Sequence, residues 1–508
     1  MKRRDLLKAG ALAAGAGVVG CAPGMNATTG VAHAARVPQL RRVRNVIFLI
    51  YDGTGYEDMA AAGHFSRRVL NRPFVFERLL NGGATGSMWT SSLTSIVTDS
   101  SAASTVFGTG RKITNVELGM LPDGTVLTSI LDLAKGRGMM TGLVTTTRAT
   151  HATPAGFVAK ISHRDREEEI AAQYLDFGPD VLLGGGSGPF NEREDKRDLF
   201  EEFRRKGYDV LRTTADLERT NASKLVGIFS GGMDHCPYEI DRRYQGEDAP
   251  SLAQMTRKAL DVLAGAERGF VVQVEAGRID LANHYSDPGG MIWDWVAADD
   301  ALAAILDFVD RDGETLLIMA CDHETAGSVV YGTGPWFSTS SDTFQLLEAR
   351  RASNDFFMKR LGTGPDAATV EAAALEMLGI ALPPEQVAQV VELLAARPVP
   401  QNLRLGHRNA FLNHPDNSLN QILSTTPART PTRPNIAYAT GQHTAGLVPA
   451  VLYGPMVQQG GLGVIDNTEL FTVMTQGLGF DFENPMMTEE QARRLSWVPA
   501  ANDRGVHT

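Results

Sequence analysis

NVIFLIYDGTGYE (45–57) begins as an unbroken apolar run and ends it on an acidic residue, Asp52, followed by glycines. A short run that is rich in β-branched residues and apolar on both alternations has the pattern of a strand buried on both faces. Five further runs share it: GLVTTT (142–147), DVLLGG (180–185), FVVQVE (270–275), TLLIMAC (315–321) and PAVLYG (449–454). All six read as buried parallel strands, and helical periodicities lie between them, for instance at 129–135 and 252–263. The expected fold is α/β, a doubly wound, mostly parallel central sheet flanked by helices.

One stretch departs from this alternation. Residues 324–442 carry no convincing buried strand but do carry helical segments at 344–361, 367–378 and 384–396, the last with Val387, Val391 and Leu394 at helical spacing. The expectation is an inserted, mainly helical cap with core-facing stripes, a substrate-gating or partner surface being the alternative, bounded by the loop-like GTGPWFSTSSD (332–342) and TTPARTPTRP (425–434). The α/β body then comprises 43–323 and 443–485.

The chain has 508 residues, 43% hydrophobic and 21% charged, a balance that excludes disorder as a whole. Lys plus Arg is 48 against 59 for Asp plus Glu, and no basic block rises above that net charge of −11, so a nucleic-acid footprint is missing. Beyond the N-terminus no run approaches the ~18 apolar residues of a spanning helix. Cys21, Cys236 and Cys321 are too few for a disulfide framework and lack zinc-ribbon spacing. Nothing in the spacing of Cys236 and Cys321 says whether they pair. MKRRDLLKAGALAAGAGVVGC sets Lys2, Arg3 and Arg4 before a weakly apolar stretch, so 1–34 reads as a twin-arginine export signal. VVGC fits a lipobox that would lipidate Cys21, and a rival cut lies after Ala34. An exported protein follows, either free in the periplasm or anchored as a lipoprotein.

Ligands of doubly wound sheets sit beyond the carboxyl ends of the strands. There the chain places Asp52, then Glu275, then Asp322 and His323, with His443 in TGQHTAG just before the last run. GRIDLANH follows Glu275, and its Asp280 and His284, four apart, share one helix face and suit one metal. Singly, each residue has an ordinary reading as a turn Asp, a helix cap or a satisfied core histidine. Together, so many carboxylates on one buried rim would repel unless cations neutralise them. Carboxylates with imidazoles and no thiolates suit zinc, and an all-oxygen subset suits magnesium. In SIVTDSSAASTVFGTGRKITN (95–115), a helix over 102–108 leaves Asp99, Ser100 and Ser101 at its N-terminus, where free N–H groups favour an anion. An ordinary Ser/Asp cap is the alternative there.

These residues resemble a known family, the bacterial alkaline phosphatases. TDSSAASTVFGTGRKITN (98–115), HATPAGFVAKISHR (151–164), EAGRIDLANH (275–284), ACDHETAG (320–327) and TGQHTAG (440–446) follow one another in family order, joined by LLGGGSGPF (182–190) and PYEIDR (237–242). The resemblance implies Ser100 as a nucleophile that becomes phosphoserine, Arg164 as a bidentate phosphate grip and Asp99 as the holder of that arginine. It further implies zinc on Asp280, His284 and His443, and a second zinc on Asp52, Asp322 and His323. A magnesium would sit on Thr153 and Glu275 with Asp52 as a bridge. His151 stands where some relatives carry Asp, which opens this third site to zinc.

The implied activity is hydrolysis of broad small-molecule phosphate monoesters at alkaline pH, with release of inorganic phosphate. The third site favours monoesters over diesters, and a homodimer is also implied. Three departures stand out: Leu281 lacks a phosphate contact that several relatives have, Tyr51 replaces a small residue and is expected to narrow the pocket, and the cap is longer. Phosphodiesterases and sulfatases of the same superfamily are rival readings, although CPYEI (236–240) lacks the sulfatase arginine. GGGSG (184–188) is not followed by the Lys-Ser/Thr of a nucleotide loop. A non-catalytic phosphate- or metal-binding surface lipoprotein is the reading from another class, and the presence of Ser100 and Arg164 counts against it.

Overall fold

Every residue of the opening run is buried in β1 (Asn45–Tyr51), which pairs in parallel with β7 (Phe270–Ala276) on one side and β8 (Thr315–Ala320) on the other. The computed structural model describes residues 41–395, Leu423, 433–458 and 460–495. All of these belong to the unit Val37–Thr508; the unit Met1–Arg36, with the signal expectations placed on Arg3, Arg4, Cys21 and Ala34, lies outside the described residues.

The remaining strands of the main sheet are β2 (Ala84–Trp89), β3 (Met140–Arg148), β4 (Val181–Gly185), β5 (Asp209–Leu211), β6 (Leu225–Ile228), β13 (Val448–Tyr453) and β14 (Gly460–Asp466). They form a 10-stranded sheet in the order β14-β2-β13-β8-β1-β7-β3-β4-β6-β5. The six expected strands are all present, but PAVLYG is not parallel: β13 runs antiparallel to both β8 and β2. An apolar run reports burial on both faces and carries no information about strand direction. Helices cover the sheet, among them Leu252–Leu263, whose Ser251 side chain caps it by accepting from Gln254 N, and Pro288–Asp312, which ends on the left-handed Gly313.

The described part of the inserted region carries helices and has a core of its own around Phe357, Val370, Leu378, Val387, Val390 and Leu394. The segment 344–361 is not one helix. It breaks after a 3-10 turn at Leu346–Ala349, and Ser353 caps a new helix, Asn354–Leu361, by accepting from Phe356 N. Both ends of the insertion also hold short strands that hydrophobic patterning does not register. β9 (Glu324–Thr325) pairs with β12 (His443–Thr444), and β10 (Ser328–Val330) pairs with β11 (Ile436–Tyr438). Residues 396–432, apart from Leu423, lie outside the description.

Candidate metal centre and active site

The sheet register assembles the site. Ile50 is level with both Glu275 on β7 and Ala320 on β8, so the residues just past the strand ends, Asp52 and Asp322, emerge side by side next to Glu275. Asp52 is followed by Gly53 at φ 67, where a Cβ would come within 2.4 Å of Asp280 Oδ1; only glycine allows this approach. Asp280 and His284 lie one turn apart on the helix Arg278–His284. His443 arrives from the far end of the insertion, because the β9–β12 ladder pairs it with Thr325, two residues past His323.

Three groups of ligand atoms result, each within 4.8 Å of one another: Asp280, His284 and His443; Asp52, Asp322 and His323; and Asp52, His151 and Glu275. Thr153, in the short helix Ala152–Ala155 after β3, donates from Oγ1 to Asp52 Oδ2 at 3.1 Å. The turn carrying His151 is locked by Glu167, which accepts from Thr150 and from the buried Arg148, the latter at 2.9 Å.

The chemistry of the donors fits cations. His284 Nδ1 faces Gly441 O at 2.8 Å and His443 Nδ1 faces Thr98 O at 2.8 Å, so both Nδ1 carry the proton and both Nε2 present lone pairs. Those two Nε2 atoms are 3.0 Å apart, an arrangement that is repulsive unless a positive charge lies beside them. Thr325 Oγ1 donates to Asp280 Oδ1 and accepts from His323 Nδ1 at 3.2 Å, so His323 Nε2 carries a lone pair that lies 3.2 Å from both Asp322 Oδ2 and Ser100 Oγ. Asp52 Oδ1, Asp322 Oδ2 and both Glu275 oxygens are buried, and among the described residues none has a hydrogen-bond partner of good geometry. Burial, together with the mutual repulsion of Asp52, Asp322, Asp280 and Glu275, pushes the Asp52, Asp322 and Glu275 carboxyls up from the ordinary range. A bound cation removes both penalties.

Ser100 opens the helix Ser100–Thr109, and Asp99 caps it by accepting from Ala102 N at 2.9 Å. Ser100 Oγ lies 3.2 Å from His323 Nε2, and Arg164 Nη1 donates to Asp99 Oδ2 at 3.1 Å. Arg164 Nη2 is 3.1 Å from His151 Nε2. The guanidinium therefore bridges the serine helix and the third ligand group. The structure thus brings together the candidate catalytic and metal-ligating residues Asp52, Asp99, Ser100, His151, Thr153, Arg164, Glu275, Asp280, His284, Asp322, His323 and His443.

A family model described as alkaline phosphatase matches residues 43–480. The chain belongs to the alkaline phosphatase family. As a member it is an enzyme that hydrolyses phosphate monoesters, and the family depends on metal ions. Alkaline phosphatase 3 of Bacillus subtilis is 30% identical over 453 residues, covering 87% of this chain and 90% of the relative. The crystal structure of Thermus thermophilus alkaline phosphatase is 43% identical with a TM-score of 0.85, covering 92% of this chain and 98% of the other. A cold-active alkaline phosphatase from Shewanella is 26% identical with a TM-score of 0.70, covering 85% and 99%.

One expectation from the alkaline phosphatase resemblance, and one question that the cysteine spacing left open, are settled by packing. Tyr51 does not narrow the pocket: its ring is fully buried on the other side of β1, 4.5 Å from Trp295 and 5.4 Å from Phe76. Cys236 and Cys321 are both buried free thiols. Gly53 and Thr325 also belong to the site, beyond the residues expected there. Thr325 had a visible signal, its place two residues after His323 in ACDHETAG; Gly53 had one in the residue after Asp52.

Proposed function

We propose that this alkaline phosphatase transfers the phosphoryl group of small-molecule monoesters to Ser100 and then to water, at a site for two zinc ions and a third ion, magnesium or zinc. Asp280, His284 and His443 would hold the first ion, and Asp52, Asp322 and His323 the second. Thr153, Glu275 and Asp52 would hold the third, with His151 alongside. Their oxygens suit magnesium, and the His151 imidazole admits zinc. The observation that carries the reading is Ser100 Oγ at a helix N-terminus, 3.2 Å from His323 Nε2 and one residue from the Asp99 that holds Arg164.

When bound, the ions act as Lewis acids that neutralise oxygen charge and lower the pKa of coordinated groups. Ser100 forms the Oγ–P bond as the P–O bond to the alcohol breaks, and the alcohol leaves with a proton. Water then breaks the Oγ–P bond and releases inorganic phosphate. Arg164 offers a planar pair of donors to two phosphate oxygens, oriented by Asp99. His323, with Nδ1 committed to Thr325, would give its Nε2 lone pair to the second ion beside Ser100 Oγ, 3.2 Å away. Activity rising into the alkaline range follows from a serine and a water that must be deprotonated. Preference for monoesters follows from a third ligand group that addresses an oxygen esterified in diesters. Export through the twin-arginine signal, a lipid anchor at Cys21 and a homodimer complete the proposal.

Hydrolysis of p-nitrophenyl phosphate and bis-p-nitrophenyl phosphate, with zinc and magnesium at alkaline pH, tests it. Strong monoester preference, abolished by EDTA and by Ser100→Ala, is expected. Equal diester turnover, or a fully active Ser100→Ala, refutes it.

A further inference from the structure

The nucleophile segment runs past its helix to Asn115 and Val116, and these two residues bracket the phosphate grip. Asn115 Nδ2 donates to Val97 O at 3.1 Å, and Asn115 Oδ1 accepts from Asp99 N at 3.3 Å, so one amide clasps the main chain that delivers the cap residue. Val116 N donates to Asp99 Oδ2 at 3.0 Å, and Val116 O accepts from Arg164 N at 2.8 Å. That same Asp99 oxygen accepts from Arg164 Nη1. A closed ring results, from the Arg164 main chain through Val116 to the Asp99 carboxylate and back to the Arg164 guanidinium.

Val116 makes both bonds with its main chain, and to do so it adopts φ 69. A β-branched residue enters this left-handed region rarely and against a steric penalty, and it stays there only when surrounding contacts over-determine it. Here the two hydrogen bonds to the grip are those contacts.

We propose that Asn115 and Val116 are positioning residues for phosphate recognition, whose amide and strained main chain fix Asp99 and, through it, the aim of Arg164. This rests on the reading of Arg164 as the phosphate grip. Neither residue touches the reacting atoms; both act by holding the donor pair in register with Ser100.

The test compares Asn115→Ala, Arg164→Ala and the double variant in the zinc- and magnesium-loaded enzyme, reading kcat, KM and the competitive Ki of inorganic phosphate. Asn115→Ala is expected to raise the phosphate Ki and lower kcat/KM by about tenfold. In the Arg164→Ala background the same change is expected to add less than about twofold, because the group it positions is gone. Asn115→Asp gives this comparison with an isosteric side chain and so guards against a variant that fails to fold. Val116→Gly, which reaches φ 69 freely, is expected to lose at least about fivefold less than Val116→Pro, whose ring fixes φ near about −65° and removes the N–H. Equal losses from Asn115→Ala in both backgrounds, or an unchanged phosphate Ki, overturn the proposal. An unchanged Ki in Arg164→Ala alone overturns instead the grip reading beneath it.

Discussion

Replacing Gly53 with alanine puts a methyl group 2.4 Å from Asp280 Oδ1 and 2.5 Å from Asp280 Cα. Ordinary carbon contacts begin at 3.4 Å, so about 1 Å of displacement must be shared between the end of β1 and the helix Arg278–His284. The left-handed backbone adds ~1–2 kcal/mol for a residue with a Cβ. The overpacked contact adds ~1–3 kcal/mol, for a total of about 2–5 kcal/mol. The functional effect is separate. A misplacement of about 1 Å between the segments bearing Asp52 and Asp280 is expected to cost ~10²-fold in kcat/KM. Guanidinium unfolding reads the stability loss, and monoester turnover at equal zinc content, checked by mass spectrometry, reads the functional one. Gly124→Ala is the control: its φ is 86 but a Cβ there meets nothing within 4 Å, so it carries the backbone penalty alone. If Gly53→Ala matches Gly124→Ala in stability and turnover, the close-approach argument is wrong.

Two further outcomes are expected. Chelation with EDTA leaves Asp52, Glu275 and Asp322 with buried, unpartnered oxygens, so the thermal midpoint should fall and recover on adding zinc. The scale is about 4 kcal/mol for each site held at a thousandfold excess over its Kd, and an unchanged midpoint refutes the cation reading. Asp241, which docks the insertion by accepting from Ser353 N and Oγ, is raised by burial from 3.8 to about 7, against the lowering effect of those bonds. A carboxyl raised on folding supports the fold below its unfolded value and loses that support as pH rises through its folded value. Asp241→Asn should therefore gain stability relative to the parent from about pH 4 to about pH 7, by at most about 4 kcal/mol, and level off above. A difference that stays flat across that range in thermal unfolding sinks this account.

The body of the fold was legible because its central strands are apolar on both faces. β2, β5, β6 and β14 were not. ATGSMW is only partly buried and mixes Gly, Thr and Ser among its apolar residues, and GGLGVID is an edge strand with three glycines and a largely exposed surface. The direction of β13 was illegible for the reason already given. At the site, Asp280 and His284 could be paired from their spacing alone, since a helix fixes it. His443 could not, because what brings it to His323 is a two-residue ladder whose partners lie on opposite sides of the insertion. Val116 left no trace, since a valine gives no sign that its backbone is left-handed.

The order of the sheet has a consequence for how the chain becomes an enzyme. Among the described residues, the strands that flank β2 in the sheet are β13 and β14, both of which are made after the insertion, and β13 is its bridge to β8. Early synthesis therefore yields a strand that has to wait, and the sheet cannot zip from one end. The contact that seats Thr444 on Glu324 spans 120 residues, so the first ligand group, like the β2–β13 pairing of the sheet, is completed by residues that follow the insertion. Long-range closure of this kind slows folding. A chain that stops short of His443 lacks one of the three residues of the Asp280, His284 and His443 group, so under the proposed function it would hold that ion weakly and turn over little substrate.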